Sequence, residues 1–200
     1  MSESLRRIGV LGGSFDPPHI GHITCSQIVA ETLNLEQIIL MPVATQPQRL
    51  GGTVASAESR FRMVEAIANI DPIFSASRLE IDSSGISYTV NTVDLLLKMY
   101  PLDKFQLYWI IGMDTAINLE SWLHPDKITE SVRFAVMLRP GYSESDVPNK
   151  WKDFMTFIQT PQIDISSTII RQRITSKLPI GSWVGADVEN VILSERLYIG

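Results

Sequence analysis

The chain has 200 residues, with 17 Lys and Arg against 22 Asp and Glu, a formal net charge of -5. That balance excludes broad electrostatic attraction to nucleic acid, so any anionic ligand has to be held by a few locally placed donors. A hydrophobic share of 44% is enough for a buried core, and a single cysteine, Cys25, excludes an internal disulfide or a cysteine-built zinc site.

Arg6 and Arg7 lead into an apolar stretch, but Gly12, Gly13 and Asp16 interrupt it and no small-residue cleavage site follows. The longest apolar runs fall well short of the roughly 20 residues a membrane helix needs. A cytoplasmic protein is expected, with no membrane or nucleic-acid partner.

Residues 7–12 (RIGVLG) read as a buried strand, and Pro18 suits the start of a helix near His19 that runs to about Leu33. Ile28, Val29 and Leu33 fall on the inner face of that helix. Residues 37–41 (QIILM) read as a second strand, closed by Pro42, and 43–54 as a loop carrying Pro47, Gly51 and Gly52. Phe61, Val64 and Ala68 repeat at helical spacing, and 75–81 suits a strand. Residues 88–100 form a helical pattern with Val90, Val93 and Leu97 on one face, stopped by Pro101. Strands are expected at 105–111 (FQLYWII) and 133–138. After Pro140-Gly141 the chain is polar and irregular until 154–160, and 167–178 and 184–194 close it as two helices, the second with Val184, Val188, Val191 and Ile192 at i, i+4, i+7 and i+8.

Strands alternating with helices argue for an α/β fold: a Rossmann-like, doubly wound, mostly parallel sheet with helices on both faces and a small C-terminal helical subregion. No linker or repeat divides the chain, so residues 1–200 read as a single domain. In such sheets ligands sit outside the carboxyl ends of the strands, just after Leu11, Met41 and Ile111.

Residues 12–22, GGSFDPPHIGH, carry the most information. Gly12 and Gly13 after a strand let a phosphate approach the backbone, and a helix starting near His19 presents free N–H groups and partial positive charge. His19 and His22 are three residues apart and so share one side of that helix, where imidazoles can donate to phosphate oxygens. The spacing is neither G-x-G-x-x-G nor G-K-[ST] nor H-E-x-x-H, so a dinucleotide fingerprint, a P-loop and a zinc site are set aside. Near the other end, residues 165–171 (ISSTIIR) combine serine and threonine at a helix start with Arg171 one turn in, a guanidinium able to bridge two phosphate oxygens.

The segment GGSFDPPHIGH resembles the signature of the H-x-G-H nucleotidyltransferase superfamily, and its Asp-Pro-Pro-His form is similar to the bacterial nicotinate mononucleotide adenylyltransferases. The resemblance implies that His19 and His22 contact ATP phosphates, that Gly21 permits close approach, and that Gly12, Gly13, Ser14 and Phe15 belong to the ATP site. Residues 165–171 resemble the superfamily's second motif, which puts Ile165, Ser166, Ser167, Thr168 and Arg171 on the triphosphate. Residues 110–114 (IIGMD) resemble a Gly-x-Asp motif, so Gly112 and Asp114 are implied at the nucleotide sugar. Ser87-Tyr88-Thr89 resembles the segment that recognises the pyridine carboxylate through the backbone at Thr89, and Trp122 matches a tryptophan that stacks on the pyridine ring. Arg139-Pro140-Gly141-Tyr142 also matches a family segment. Similarity runs over residues 7–198 with gaps near 43–58 and 143–160. Two departures stand out. The family usually carries Pro-Pro-His-Lys or Pro-Pro-His-Arg after Pro42, where this chain has Gln46-Pro47-Gln48-Arg49, keeping the cation at Arg49 and losing the histidine to Gln48. Asn91 stands where aspartate is common.

The implied reaction transfers AMP from ATP to nicotinate mononucleotide, giving deamido-NAD and pyrophosphate in NAD biosynthesis by in-line displacement. His19, His22 and Arg171 are its catalytic residues, and Mg²⁺ accompanies ATP without a dedicated protein cage. Nicotinamide mononucleotide as preferred acceptor and a non-catalytic nucleotide-binding paralogue stay open, as does phosphopantetheine. An oligomer is possible. The central expectation is that the glycine turn and the serine–threonine turn meet.

Overall fold

The computed structural model describes residues 4–45, 52–83 and 85–199. Its strands are the continuous apolar runs: in β1 (Arg6–Gly13), β2 (Gln37–Pro42), β4 (Phe105–Gly112) and β5 (Val132–Leu138) the central residues are buried without alternation. That is the pattern of strands covered on both faces. With β3 (Phe74–Ala76) and β6 (Met155–Gln159) they form a six-stranded sheet in the order β3-β2-β1-β4-β5-β6. The pairs β1–β4, β4–β5 and β5–β6 are parallel. The order is the doubly wound, Rossmann-like one, and it reverses at β1, whose carboxyl end runs into the glycine turn. The helices are α1 (Ile20–Leu33), α2 (Ala57–Ala68), α3 (Thr89–Met99), α4 (Met113–Ile117), α5 (Pro125–Ser131), α6 (Asn149–Lys152), α7 (Ser167–Thr175), α8 (Gly181–Val184) and α9 (Ala186–Ser194).

By contact density the chain divides into two compact units, Met1–Leu11 with Cys25–Ile38 and Tyr88–Gln162, and Gly12–Thr24 with Ile39–Ser87 and Ile163–Gly200. In the first unit, Ile8 stands opposite Leu107, Trp109 opposite Phe134 and Val136 opposite Phe157. Gly9 is required there by packing: a Cβ would lie 2.8 Å from Leu35 Cδ1 and 3.0 Å from Ile110 Cδ1. The buried residues of α1 include Cys25, Val29, Ala30 and Leu33, while Ile28 is only half-buried. On α3 the buried residue of the second turn is Leu96 rather than Leu97, beside Val90 and Val93. Gly141, at φ 91°, completes the turn after β5, where the Tyr142 N–H donates to the Arg139 carbonyl at 3.2 Å.

In the second unit α2 packs against α9. Its buried face is Ser59, Arg60, Met63, Val64 and Ile67. The spacing of Phe61, Val64 and Ala68 had pointed to a face rotated from this one; Phe61 is half-buried beneath the Arg78 guanidinium, 4.8 Å from its ring centre. The strand expected over 75–81 stops at Ala76, because the Ser77 hydroxyl accepts from the Leu79 N–H at 3.2 Å and turns the chain. The helix expected over 184–194 is α9, which starts at Ala186 because Gly185, at φ 84°, separates it from Val184 at the end of α8, and α7 ends at Thr175 rather than Leu178.

Candidate active site

The turn leaving β1 and the start of α1 are built around a histidine used as a cap. His19 precedes the first residue of α1, and His22 is the third residue of the helix. The backbone N–H of His19 donates to Nδ1 of His22 at 3.1 Å. This is half of a capping box, with an imidazole doing what a glutamate does at the third helical position. A ring nitrogen that accepts carries no proton, so the contact favours the neutral His22 tautomer with its proton on Nε2. The His19 and His22 rings stack at 3.7 Å between centres with a 35° tilt, and Phe15 packs 5.3 Å from His22. Gly21 leaves room for the stacked ring: a Cβ there would lie 3.0 Å from His19 Nδ1 and 3.1 Å from Cε1, and the ring would have to give by a few tenths of an ångström.

Backbone strain in the turn lies elsewhere than the two glycines suggest. Gly13 is outside the left-handed region, and a Cβ on it would make ordinary contact with the Phe15 ring at 3.5 Å. The left-handed residue is Phe15, at φ 47° and buried. A bulky residue there costs energy and holds only where its surroundings over-determine it.

The two peptides after Phe15 are held by α7. Ser166 caps that helix, its hydroxyl accepting from the Ile169 N–H at 3.3 Å. The next hydroxyl, of Ser167, donates to the Pro17 carbonyl at 2.7 Å. Arg171 donates to the Asp16 carbonyl at 2.6 Å and to the Thr168 hydroxyl at 3.2 Å, with its side chain 20% exposed. The glycine turn and the serine–threonine turn therefore meet, joined by hydrogen bonds to the peptides just ahead of His19.

Three residues that sequence reasoning missed complete this unit. The Asp16 carboxylate is buried and accepts from the N–H groups of Val54 and Ala55 at 2.7 and 3.0 Å and from the Tyr198 hydroxyl at 2.8 Å. Arg60 is fully buried and donates to the Ser14 carbonyl at 2.9 Å. Burial pulls its guanidinium below the ordinary arginine range, opposed first by the charge of Asp16. Asp16 had a signal, lying inside the GGSFDPPHIGH segment. For Arg60 the only hint is its place one turn before Met63 and Val64; Tyr198 has none.

In the other unit, β4 ends at Gly112 and α4 starts at once, with Asp114 exposed in its first turn. A Cβ at Gly112 would meet Asp114 Oδ1 at 2.7 Å, so the glycine lets that carboxylate fold back over the strand end. Thr89 is the first residue of α3, after Tyr88, and Asn91 is exposed two residues further on. Trp122 is half-buried after a short 3₁₀ turn, its ring edge-on to Phe134 at 6.1 Å. Arg49 and Gln48 lie outside the described residues.

Among the described residues, no three His, Cys, Asp or Glu gather to hold a metal ion. The buried Asp16 carboxylate already accepts three donors.

A family model described as Cytidylyltransferase-like matches residues 10–173, a span that includes both the histidine turn and Arg171. A probable nicotinate-nucleotide adenylyltransferase of Bacillus pumilus is 35% identical over 97% of this chain and 99% of its own length. One of Halalkalibacterium halodurans is 34% identical over 97% and 92%. The chain belongs to the nicotinate-nucleotide adenylyltransferase family. The fold of a solved family structure is also similar: the Plasmodium falciparum nicotinic acid mononucleotide adenylyltransferase, complexed with APC, superposes with a TM-score of 0.76 at 20% identity, over 96% of this chain and 97% of that one.

Proposed function

We infer that this protein transfers the adenylyl group of ATP to nicotinate mononucleotide, giving deamido-NAD and pyrophosphate in NAD biosynthesis, with residues 1–200 working as a single nucleotidyltransferase domain. The observation that carries the reading is the stacked His19–His22 pair beside a turn that Arg171 grips through Asp16. Near full-length identity of about a third to family members supports it.

The mononucleotide's phosphate oxygen attacks the α-phosphorus of ATP, a new P–O bond forms, the bond to the β-phosphate oxygen breaks and pyrophosphate leaves. A phosphate monoester is already anionic near neutral pH, so no strong base is needed. The protein's work is to hold two polyanions in line, which can account for about 7–11 kcal/mol of barrier lowering. His22, its ring fixed through Nδ1 at the start of its own helix, donates to a phosphate oxygen in this proposal. His19 and Arg171 supply further donors, and the starts of α1 and α7 add N–H groups and partial positive charge. Gly12, Gly13, Ser14, Phe15, Gly21, Ile165, Ser166, Ser167 and Thr168 line the ATP side in this proposal, with Gly112 and Asp114 at the ribose.

For the acceptor we assign Tyr88, the N–H of Thr89, Arg49 and Trp122. A helix start leaves its first N–H groups without intrahelical acceptors, which suits a pyridine carboxylate at Thr89. An indole face suits a cationic ring. Magnesium is a hard cation that keeps water and phosphate oxygens around it, so in this proposal it would enter with ATP. Bound so, it neutralises phosphate charge.

The test is purified protein with Mg-ATP and either nicotinate or nicotinamide mononucleotide, with products resolved chromatographically. Deamido-NAD formed faster than NAD supports the proposal. Faster NAD formation makes the amide the preferred acceptor, and ATP binding without either product makes the chain a non-catalytic paralogue.

A further inference from the structure

Four stretches of the second unit meet on one carboxylate. Asp16 is 1% exposed; Oδ2 accepts from the Val54 N–H, and Oδ1 accepts from the Ala55 N–H and the Tyr198 hydroxyl. Arg171 belongs to the same cluster, its Nη1 3.9 Å from Asp16 Oδ2 while it donates at 2.6 Å to the Asp16 carbonyl. Arg60 stands behind the turn, holding the carbonyl of Ser14. A buried polar network of this kind is costly unless every member is satisfied. The adenylyl transfer derived above makes no direct use of Tyr198.

We propose that Tyr198 is a positioning residue for phosphate recognition: its hydroxyl holds the Asp16 carboxylate so that Arg171 is aimed without being neutralised. The inference rests on the reading of Arg171 as a phosphate ligand.

The argument is one of competition for lone pairs. Two backbone N–H groups and a hydroxyl already occupy the carboxylate, so Arg171 sits at the edge of ion-pair range instead of locking onto it bidentately. Its direction comes from a peptide carbonyl, which carries no net charge. Removing the hydroxyl leaves Oδ1 with one donor in a dry place, and the nearest cation able to turn toward it is Arg171. A guanidinium drawn into that pair is withdrawn from phosphate. Burial first, and then the neighbouring carboxylate, push the Tyr198 phenol far above its ordinary range, so it remains a donor at every working pH. The segment after α9 that bears it is tied to α7 as well, through the Thr175 hydroxyl donating to the Tyr198 carbonyl at 3.4 Å.

The experiment is a double-mutant cycle on the full chain: wild type, Tyr198→Phe, Arg171→Ala and the double variant. Each is characterised by Mg-ATP affinity from calorimetry, by kcat and mononucleotide KM, and by Tm. Tyr198→Phe is expected to weaken ATP binding or lower kcat by about tenfold, the scale of one lost hydrogen bond in a buried site, with the mononucleotide KM little changed. In the Arg171→Ala background the same substitution is expected to change neither ATP affinity nor kcat by more than about twofold. An equal loss with and without Arg171, or no loss in either, overturns the proposal, whatever happens to Tm. Should Tyr198→Phe melt below the assay temperature, the cycle is read as Mg-ATP affinity by calorimetry below that midpoint, with the same expectation. The two readings also fail separately. Wild type that binds Mg-ATP yet makes no dinucleotide sinks the proposed activity, while the cycle on ATP affinity still decides the role of Tyr198. Wild type with no affinity for Mg-ATP overturns both.

Discussion

His22 is held at the start of its own helix: Nδ1 accepts the His19 N–H, which fixes the ring against that of His19. In the proposed reaction that ring donates to a phosphate oxygen. His22→Ala is therefore expected to lower kcat by about a hundredfold or more, the scale of losing one transition-state donor, and steady-state kinetics checks it. Near-normal kcat would remove His22 from the chemistry. Gly21 allows a sharper test, because stability and activity should move in opposite directions. Alanine is the better helix former by up to about 1 kcal/mol, but its Cβ would press on the His19 ring at 3.0 Å. Gly21→Ala is expected to keep or raise Tm while kcat falls several-fold. A fall in both would mean the glycine serves the backbone and not the ring. The sequence announced both histidines and the glycine between them, since their spacing alone puts them on one side of a helix. It did not announce Phe15 as the left-handed residue, because two glycines stood nearby as the obvious candidates.

At the scale of elements, strands and long helices were legible wherever apolar residues ran unbroken or repeated at helical spacing. The helix α2 was legible as a helix but not in its orientation. Its buried face includes Arg60, and a periodicity read from apolar residues alone passes over an arginine whose cost of burial is offset by the Ser14 and Ala44 carbonyls. The strand over 75–81 was over-read because β-favouring residues continue past the point where the Ser77 side chain closes a turn. Short elements such as α4, α5 and α6 are too brief to display a period. The capping of α7 was legible from its serines, and it yields a prediction. Ser166→Ala removes the acceptor for the Ile169 N–H and is expected to cost about 1 kcal/mol, measured as a shift in urea midpoint. The start of α7 also carries Ser167 and Thr168, so loosening it should raise the ATP KM as well. An unchanged midpoint would show that the backbone there is satisfied without the cap.

For the molecule as a whole, a net charge of -5 gives no general pull on polyanions, so cationic groups have to be concentrated and held in place. Burying Arg60 and Asp16 with Tyr198 does that locally, and it ties global stability to pH. The Tyr198 phenol is held far above its ordinary 10.0, chiefly by burial and next by the Asp16 charge. Below pH 10 the phenol is protonated in both folded and unfolded chains, and its hydrogen bond contributes in full. Above pH 10 the unfolded chain loses that proton while the folded chain keeps it. The unfolded state then binds fewer protons, and stability falls by up to about 1.4 kcal/mol per pH unit from this one group. Other tyrosines and the Cys25 thiol, which burial also pushes up, act alike in wild type and variant and cancel in a comparison. Tyr198→Phe should therefore be the less stable protein at pH 8, where the hydrogen bond to Asp16 is missing. The gap should narrow steadily as pH rises from 10 to 11, because only the wild type still has a proton to hold. Urea midpoints measured across that range would decide it: converging curves assign the alkaline loss to Tyr198, and parallel curves place it elsewhere.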